Sequence, residues 1–113
     1  MPFISVKTNC KLEGRNIEAI KTKLGQAITA IPGKSEGWLM TDIEGERNLF
    51  FRGTDEPAAM VEVNLYGSAS SNALGILTSH ITGILLDELP ISSDRIYVSY
   101  MCTKDWGWNG SNF

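Results

Sequence analysis

A strand-like alternation followed by a helical stripe that ends at a proline occurs twice in this chain, and that repetition limits the folds open to it. In residues 3–8, Ile4, Val6 and Thr8 fall on one side and Phe3, Ser5 and Lys7 on the other, as in a half-buried strand. After a polar turn containing Gly14, the residues Ile17, Ile20, Leu24, Ala27, Ile28 and Ile31 recur at helical spacing, which predicts a helix over 16–31, slightly weakened by Gly25 and closed by Pro32-Gly33. A second strand is expected over 38–43, a turn at 44–46 and a short strand over 48–51. The second half repeats the scheme. Ala59, Val61, Val63 and Leu65 share one face of a strand over 58–66, with Glu62 and Asn64 on the other. Ser70, Ser71 or Asn72 can cap a second helix, whose stripe is Leu74, Leu77, Ile81, Ile84, Leu85 and Leu89 and whose stop is Pro90. A strand over 96–101 follows, and then an aromatic, Gly/Asn-rich tail, DWGWNGSNF.

A helix between two strands favours a right-handed crossover and parallel pairing within each half. Two such β-α-β units make an α+β fold: one four-stranded mixed sheet with both helices on a single face. The other face, which would carry Met60, Glu62, Asn64, Tyr97 and Ser99, is left bare. At 113 residues the chain suits a single domain, 1–113, and a domain of this size gains from covering such a face with copies of itself.

Composition narrows the function. The net charge is −3 with no basic cluster, which argues against nucleic-acid binding. No apolar run approaches the roughly 18 residues of a membrane helix, so no membrane insertion is expected. The start has no basic segment leading into an apolar one, so a cytoplasmic location is the default. Cys10 and Cys102 form no CxxC motif; two thiols or one disulfide both fit the sequence, with thiols favoured in a cytosolic chain. The single histidine, His80, builds no metal site alone and reads as a helix-surface or packing residue. Asp55 and Glu56 read as solvated loop carboxylates. Glu62 reads as an exposed carboxylate or half of an ion pair between subunits. No cofactor is expected.

Several stretches, in order and at similar spacing across the whole chain, resemble the macrophage migration inhibitory factor family of the tautomerase superfamily. They are MPFISVKTN, PGK at 32–34, FRGTDEPAA at 51–59, SSDRIYVSY at 92–100 and GWNGSNF at 107–113. The resemblance implies a homotrimer of β-α-β-β-α-β subunits around a central channel, with each active site between two subunits. It implies loss of the initiator methionine, which leaves Pro2 as a free secondary amine and catalytic base. An α-amino group titrates near roughly 8, and apolar surroundings with a nearby cation lower that value. Lys34 is the implied cation and carboxylate binder. Phe3, Tyr66, Trp106 and Phe113 are implied apolar walls, Trp38 and Trp108 line or rim the pocket, and Tyr97 reaches it from a neighbouring subunit. Local readings stand beside these roles: Pro2 as a strand starter, Lys34 as a solvated turn lysine, Tyr97 as sheet packing, and the tail aromatics as core or interface.

The departures from vertebrate members fall around this pocket. Ser99 stands in place of an asparagine, Leu65 and Tyr66 in place of Ser and Ile, Asn64 in place of a histidine, and Trp106 in place of a smaller aliphatic residue. Ala58-Ala59-Met60-Val61 fills the segment that holds a CxxC in those members, so no thiol oxidoreductase activity of that kind is expected. The resemblance implies a keto–enol tautomerase acting on a small aromatic α-keto acid or enol, of phenylpyruvate or dopachrome type, with Leu65, Tyr66 and Ser99 among the substrate-binding positions. Its second implication is a cytokine-like protein with a vestigial pocket, bound by a cell-surface immune receptor and exported without a signal peptide.

Overall fold

A computed structural model describes residues 1–113. Strand β1 (Pro2–Thr8) leads to helix α1 (Gly14–Ala27) and strand β2 (Met40–Glu44); strand β3 (Ala59–Tyr66) leads to helix α2 (Ser71–Glu88) and strand β4 (Ile96–Thr103). The sheet order is β2-β1-β3-β4. Pairing is parallel within each half, β1 with β2 and β3 with β4, as the crossover argument requires. The halves join antiparallel through β1 and β3, where Pro2 faces Leu65 and Val6 faces Val61.

The expected alternation decides which face is covered. Ile4, Val6, Val61, Val63 and Leu65 point to the helices and meet Ile20, Leu24, Leu77, Ile81 and Leu85, all at 1% exposure or less. Each such side chain contributes about 1.5–3 kcal/mol of burial. On the opposite face no helix covers the sheet: Glu62, Tyr97 and Ser99 are exposed and Met60 and Asn64 half-buried, and Lys7 and Glu62 make an ion pair there at 3.7 Å. Helix α1 starts earlier than its apolar stripe because the Asn16 side chain accepts the Glu13 N–H at 3.2 Å and draws in the first turn. It narrows to a 3-10 turn over Ile28–Ala30 before Pro32, since a residue that precedes proline disfavours helix and Ile31 is extended. Ser70 caps α2 by accepting the Ala73 N–H, and Leu89, before Pro90, is extended in the same way.

Two expectations fail. Trp38 lies in a 3-10 turn, Glu36–Trp38, and not in the second strand, which begins at Met40. Residues 48–51 form no strand. Arg52 and Gly53 both have positive φ, 53° and 73°, and turn the chain so that only Phe51 and Thr54 bridge. The segment between β2 and β3 is held by side chains: Asn9 Nδ2 donates to the carbonyls of Leu49, Asp55 and Glu56, and Arg95 donates to those of Phe51, Thr54, Glu56 and Pro57. The tail makes a two-stranded hairpin, β5 (Gly107–Trp108) and β6 (Ser111–Asn112), around Asn109-Gly110. Both turn residues have positive φ, as a tight hairpin turn demands. Cys10 is buried, Cys102 is exposed, and both are free thiols.

Candidate active site

The chain start lies at the end of the sheet where the tail hairpin folds back. Pro2 opens β1 and is buried. The turn after α1 brings Lys34 to it: the Lys34 N–H donates to the Ile31 carbonyl at 3.1 Å, and Gly33 adopts φ 81°. Lys34 Nζ then donates to the Tyr66 carbonyl at 2.8 Å and sits 5.7 Å from the centre of the Tyr66 ring. The Tyr66 N–H donates to the Met1 carbonyl at 3.0 Å. Met1, Lys34 and Tyr66 therefore interlock around Pro2. Burial, and then the neighbouring Lys34 ammonium, hold the Met1 amine below the ordinary α-amino value.

An aromatic wall runs from this point. Tyr66 meets Phe113 at 5.3 Å, Phe113 stacks on Trp108 at 6.1 Å, and Trp108 meets Trp38 edge-on at 5.1 Å. Pro2, Phe3, Trp38, Trp106 and Trp108 line a cleft of about 530 Å³. Its lining is apolar, and the Lys34–Tyr66 contact stands beside its Met1 end, an arrangement suited to a small molecule with one charged group. A groove of about 490 Å³ between α1 and α2 is different: Lys23, Gln26, Ser79, His80 and Asp87 are among its lining residues, and Lys23 is paired with Glu88 at 2.8 Å. His80 lies exposed along that groove. No group of three or more His, Cys, Asp or Glu side chains gathers anywhere to hold a metal ion, and no helix is long and apolar enough to cross a membrane.

One chain thus brings together Pro2, Phe3, Lys34, Trp38, Tyr66, Trp106, Trp108 and Phe113. It does not bring Tyr97 or Ser99 to them, and Leu65, although paired with Pro2 across β1 and β3, is turned inward. Leu65 points into the core at 1% exposure and offers no side-chain surface to the cleft, because strand alternation turns it away from the side its neighbour Tyr66 takes. Tyr97 pairs with Met60, which pairs with Lys7; this row is five residues along the sheet from the one that joins Cys102, Leu65 and Pro2. At about 3.3 Å per residue, roughly 17 Å separates the two rows. Ser99 lies between them on the bare face. Asn9 and Arg95 were not among the candidate residues, yet they organise the whole segment beside Tyr97. Their signal was faint: an asparagine just past a strand and an arginine just before one.

The two β-α-β units, the half-covered sheet and the cleft at the chain start define a protein of the tautomerase fold. More narrowly, the chain belongs to the macrophage migration inhibitory factor (MIF) family, whose model matches residues 1–113. Macrophage migration inhibitory factor of Meriones unguiculatus is 29% identical over 115 residues, covering 100% of this chain and 99% of that protein. Among solved structures, Leishmania major MIF2 superposes with a TM-score of 0.92 at 31% identity, over 100% of this chain and 97% of that one. The MIF homologue of Prochlorococcus marinus gives a TM-score of 0.82 at 26% identity, over 98% of each chain.

Proposed function

We propose that this protein is a cofactor-independent keto–enol tautomerase that works as a homotrimer, with Met1 removed and the Pro2 amine as its base. The observation that carries this reading is the interlock of Met1, Lys34 and Tyr66 around a buried Pro2 at the foot of an aromatic wall. Removal of Met1 converts the Pro2 nitrogen from an amide into a basic secondary amine. It also releases the Tyr66 N–H, now bonded to the Met1 carbonyl, as a donor beside that amine. The depressed Met1 amine supports a low pKa for a Pro2 amine one residue deeper in the same surroundings.

The substrate class follows from the wall and the cation: an aromatic 2-oxo acid such as phenylpyruvate, its ring against Trp108 and Phe113. The Lys34 ammonium and the Tyr66 N–H hold the carboxylate. Neutral Pro2 takes a proton from the carbon next to the carbonyl, and the electron pair moves onto the carbonyl oxygen. The enolate charge is met by Lys34 and by Tyr97 and Ser99 of a neighbouring copy, and the protonated amine delivers its proton to that oxygen to give the enol. Pt0534, a structural neighbour at 10% identity and a TM-score of 0.86, is inactivated by 2-oxo-3-pentynoate, a 2-oxo acid of related chemistry.

The test is the pH dependence of kcat/KM on phenylpyruvate. Only the neutral amine can accept a proton, so the rate rises with pH through the pKa of Pro2. The rise is expected below about 8, the ordinary α-amino value. Lys34→Gln removes the adjacent positive charge, so it moves the rise to higher pH and lowers the plateau about 10-fold or more, the scale of one lost charge-assisted hydrogen bond. A rise that Lys34→Gln does not move contradicts the pairing of Lys34 with the base.

A further inference from the structure

Arg95 is 8% exposed, and its four hydrogen bonds go to carbonyls of a single segment: Pro57 at 3.0 Å, Phe51 at 3.1 Å, Thr54 at 3.3 Å and Glu56 at 3.0 Å. Its nearest carboxylate, that of Glu56, stands 3.9 Å away and is exposed. Burying a cation is costly unless its donors find partners, and here four backbone carbonyls supply them. What the guanidinium adds is fixed geometry, since its planar fork of donors sets four carbonyls in place at once. Asn9 accepts the Ala58 N–H at 2.9 Å and donates to the carbonyls of Leu49, Asp55 and Glu56, the last of which Arg95 also holds.

The segment so fixed presents Phe51. Its ring lies 5.2 Å from the Arg95 guanidinium and 5.0 Å from that of Arg52, and it meets the Tyr97 ring edge-on at 4.9 Å and 82°. Tyr97 itself is 61% exposed on the bare sheet face. Phe51 is the aromatic ring that contacts it.

We propose that Phe51, locked by Arg95, is a positioning residue that holds the Tyr97 ring at the angle at which it enters a neighbouring copy's cleft. This rests on the trimeric tautomerase reading. The FRGTDEP and SSDR stretches then have a purpose beyond chain connection: they aim one side chain across a subunit boundary.

A double-mutant cycle on phenylpyruvate turnover tests it. Phe51→Leu keeps an apolar side chain and removes the edge-on ring. In the parent chain it is expected to lower kcat/KM about 3- to 10-fold, the range of one aromatic pair. In a Tyr97→Ala background it is expected to have almost no further effect, because the ring it positions is gone. Light scattering should give a mass near three times 12.4 kDa for every variant, and the pH at which the rate rises should not move. Arg95→Lys keeps the charge but not the fork, and should reproduce the Phe51→Leu loss in the Tyr97 background alone. An equal loss from Phe51→Leu in both backgrounds, or no loss in either, overturns the positioning role and leaves the tautomerase reading standing. An unchanged kcat/KM for Tyr97→Ala by itself overturns the shared site on which both rest.

Discussion

Leu65 and Tyr66 are consecutive and have opposite fates. Strand β3 sends Leu65 under the helices and Tyr66 toward Lys34 and Phe113. The resemblance to known proteins placed both at the substrate, whereas the period of two in the sequence had already assigned Leu65 to the core face with Val61 and Val63. The periodicity was the better guide for this side chain, because alternation in a strand is set by backbone geometry and not by the site the strand serves. Leu65→Ala is therefore expected to cost about 2–5 kcal/mol in urea denaturation, as for other buried leucines. A selective rise in KM with stability unchanged would return Leu65 to the pocket wall. Lys34 shows the reverse: a lysine in a Pro-Gly turn looks solvated by local rules, whereas the resemblance sets it beside the chain start, and its bond to the Tyr66 carbonyl, 32 residues away, puts it there.

At the scale of elements, the two helices and strands β1, β3 and β4 are legible because each carries a regular period and each helix is followed by a proline; β2, which alternates weakly, is expected two residues too early. The segment around Leu49, Phe50 and Phe51 misled because three apolar residues in a row look like a strand locally. Its partners are the side chains of Asn9 and Arg95, and nothing in local spacing announces them. The tail hairpin had a readable signal in Asn109-Gly110, a pair suited to a two-residue turn. That hairpin brings Trp108 and Phe113 to the wall, while Trp106, just before it, accepts the Phe113 N–H at its carbonyl at 3.0 Å. Residues 107–113 are all exposed and contribute nothing to the core cluster. Truncation after Asp105 should thus move the melting temperature by no more than about 5 °C, roughly 1 kcal/mol in a domain this size. It should raise KM for phenylpyruvate about 10-fold or more, through the loss of ring contacts worth about 0.5–1.5 kcal/mol each. A truncated chain that binds as tightly as the full one would remove the tail from the site.

At the scale of the whole molecule, one covered face and one bare face were legible from parity alone, and so was the advantage of self-association. The meeting of Met1, Lys34, Tyr66 and the tail aromatics is not legible from periodicity, since it joins segments far apart in sequence; only the family resemblance points to it. Roughly 17 Å of sheet separates the Tyr97 row from the Pro2 row, so the role proposed for Tyr97 at a Pro2 site requires a second copy. The proposed chemistry depends on the chemical state of the chain start. An alanine inserted between Met1 and Pro2 leaves the proline in peptide linkage and puts a primary amine about 3.8 Å further along the chain. The decisive measurement is phenylpyruvate turnover by this capped chain beside the parent. The account predicts a fall of about 10²- to 10⁴-fold, the usual contribution of a general base, and turnover equal to that of the parent would contradict it.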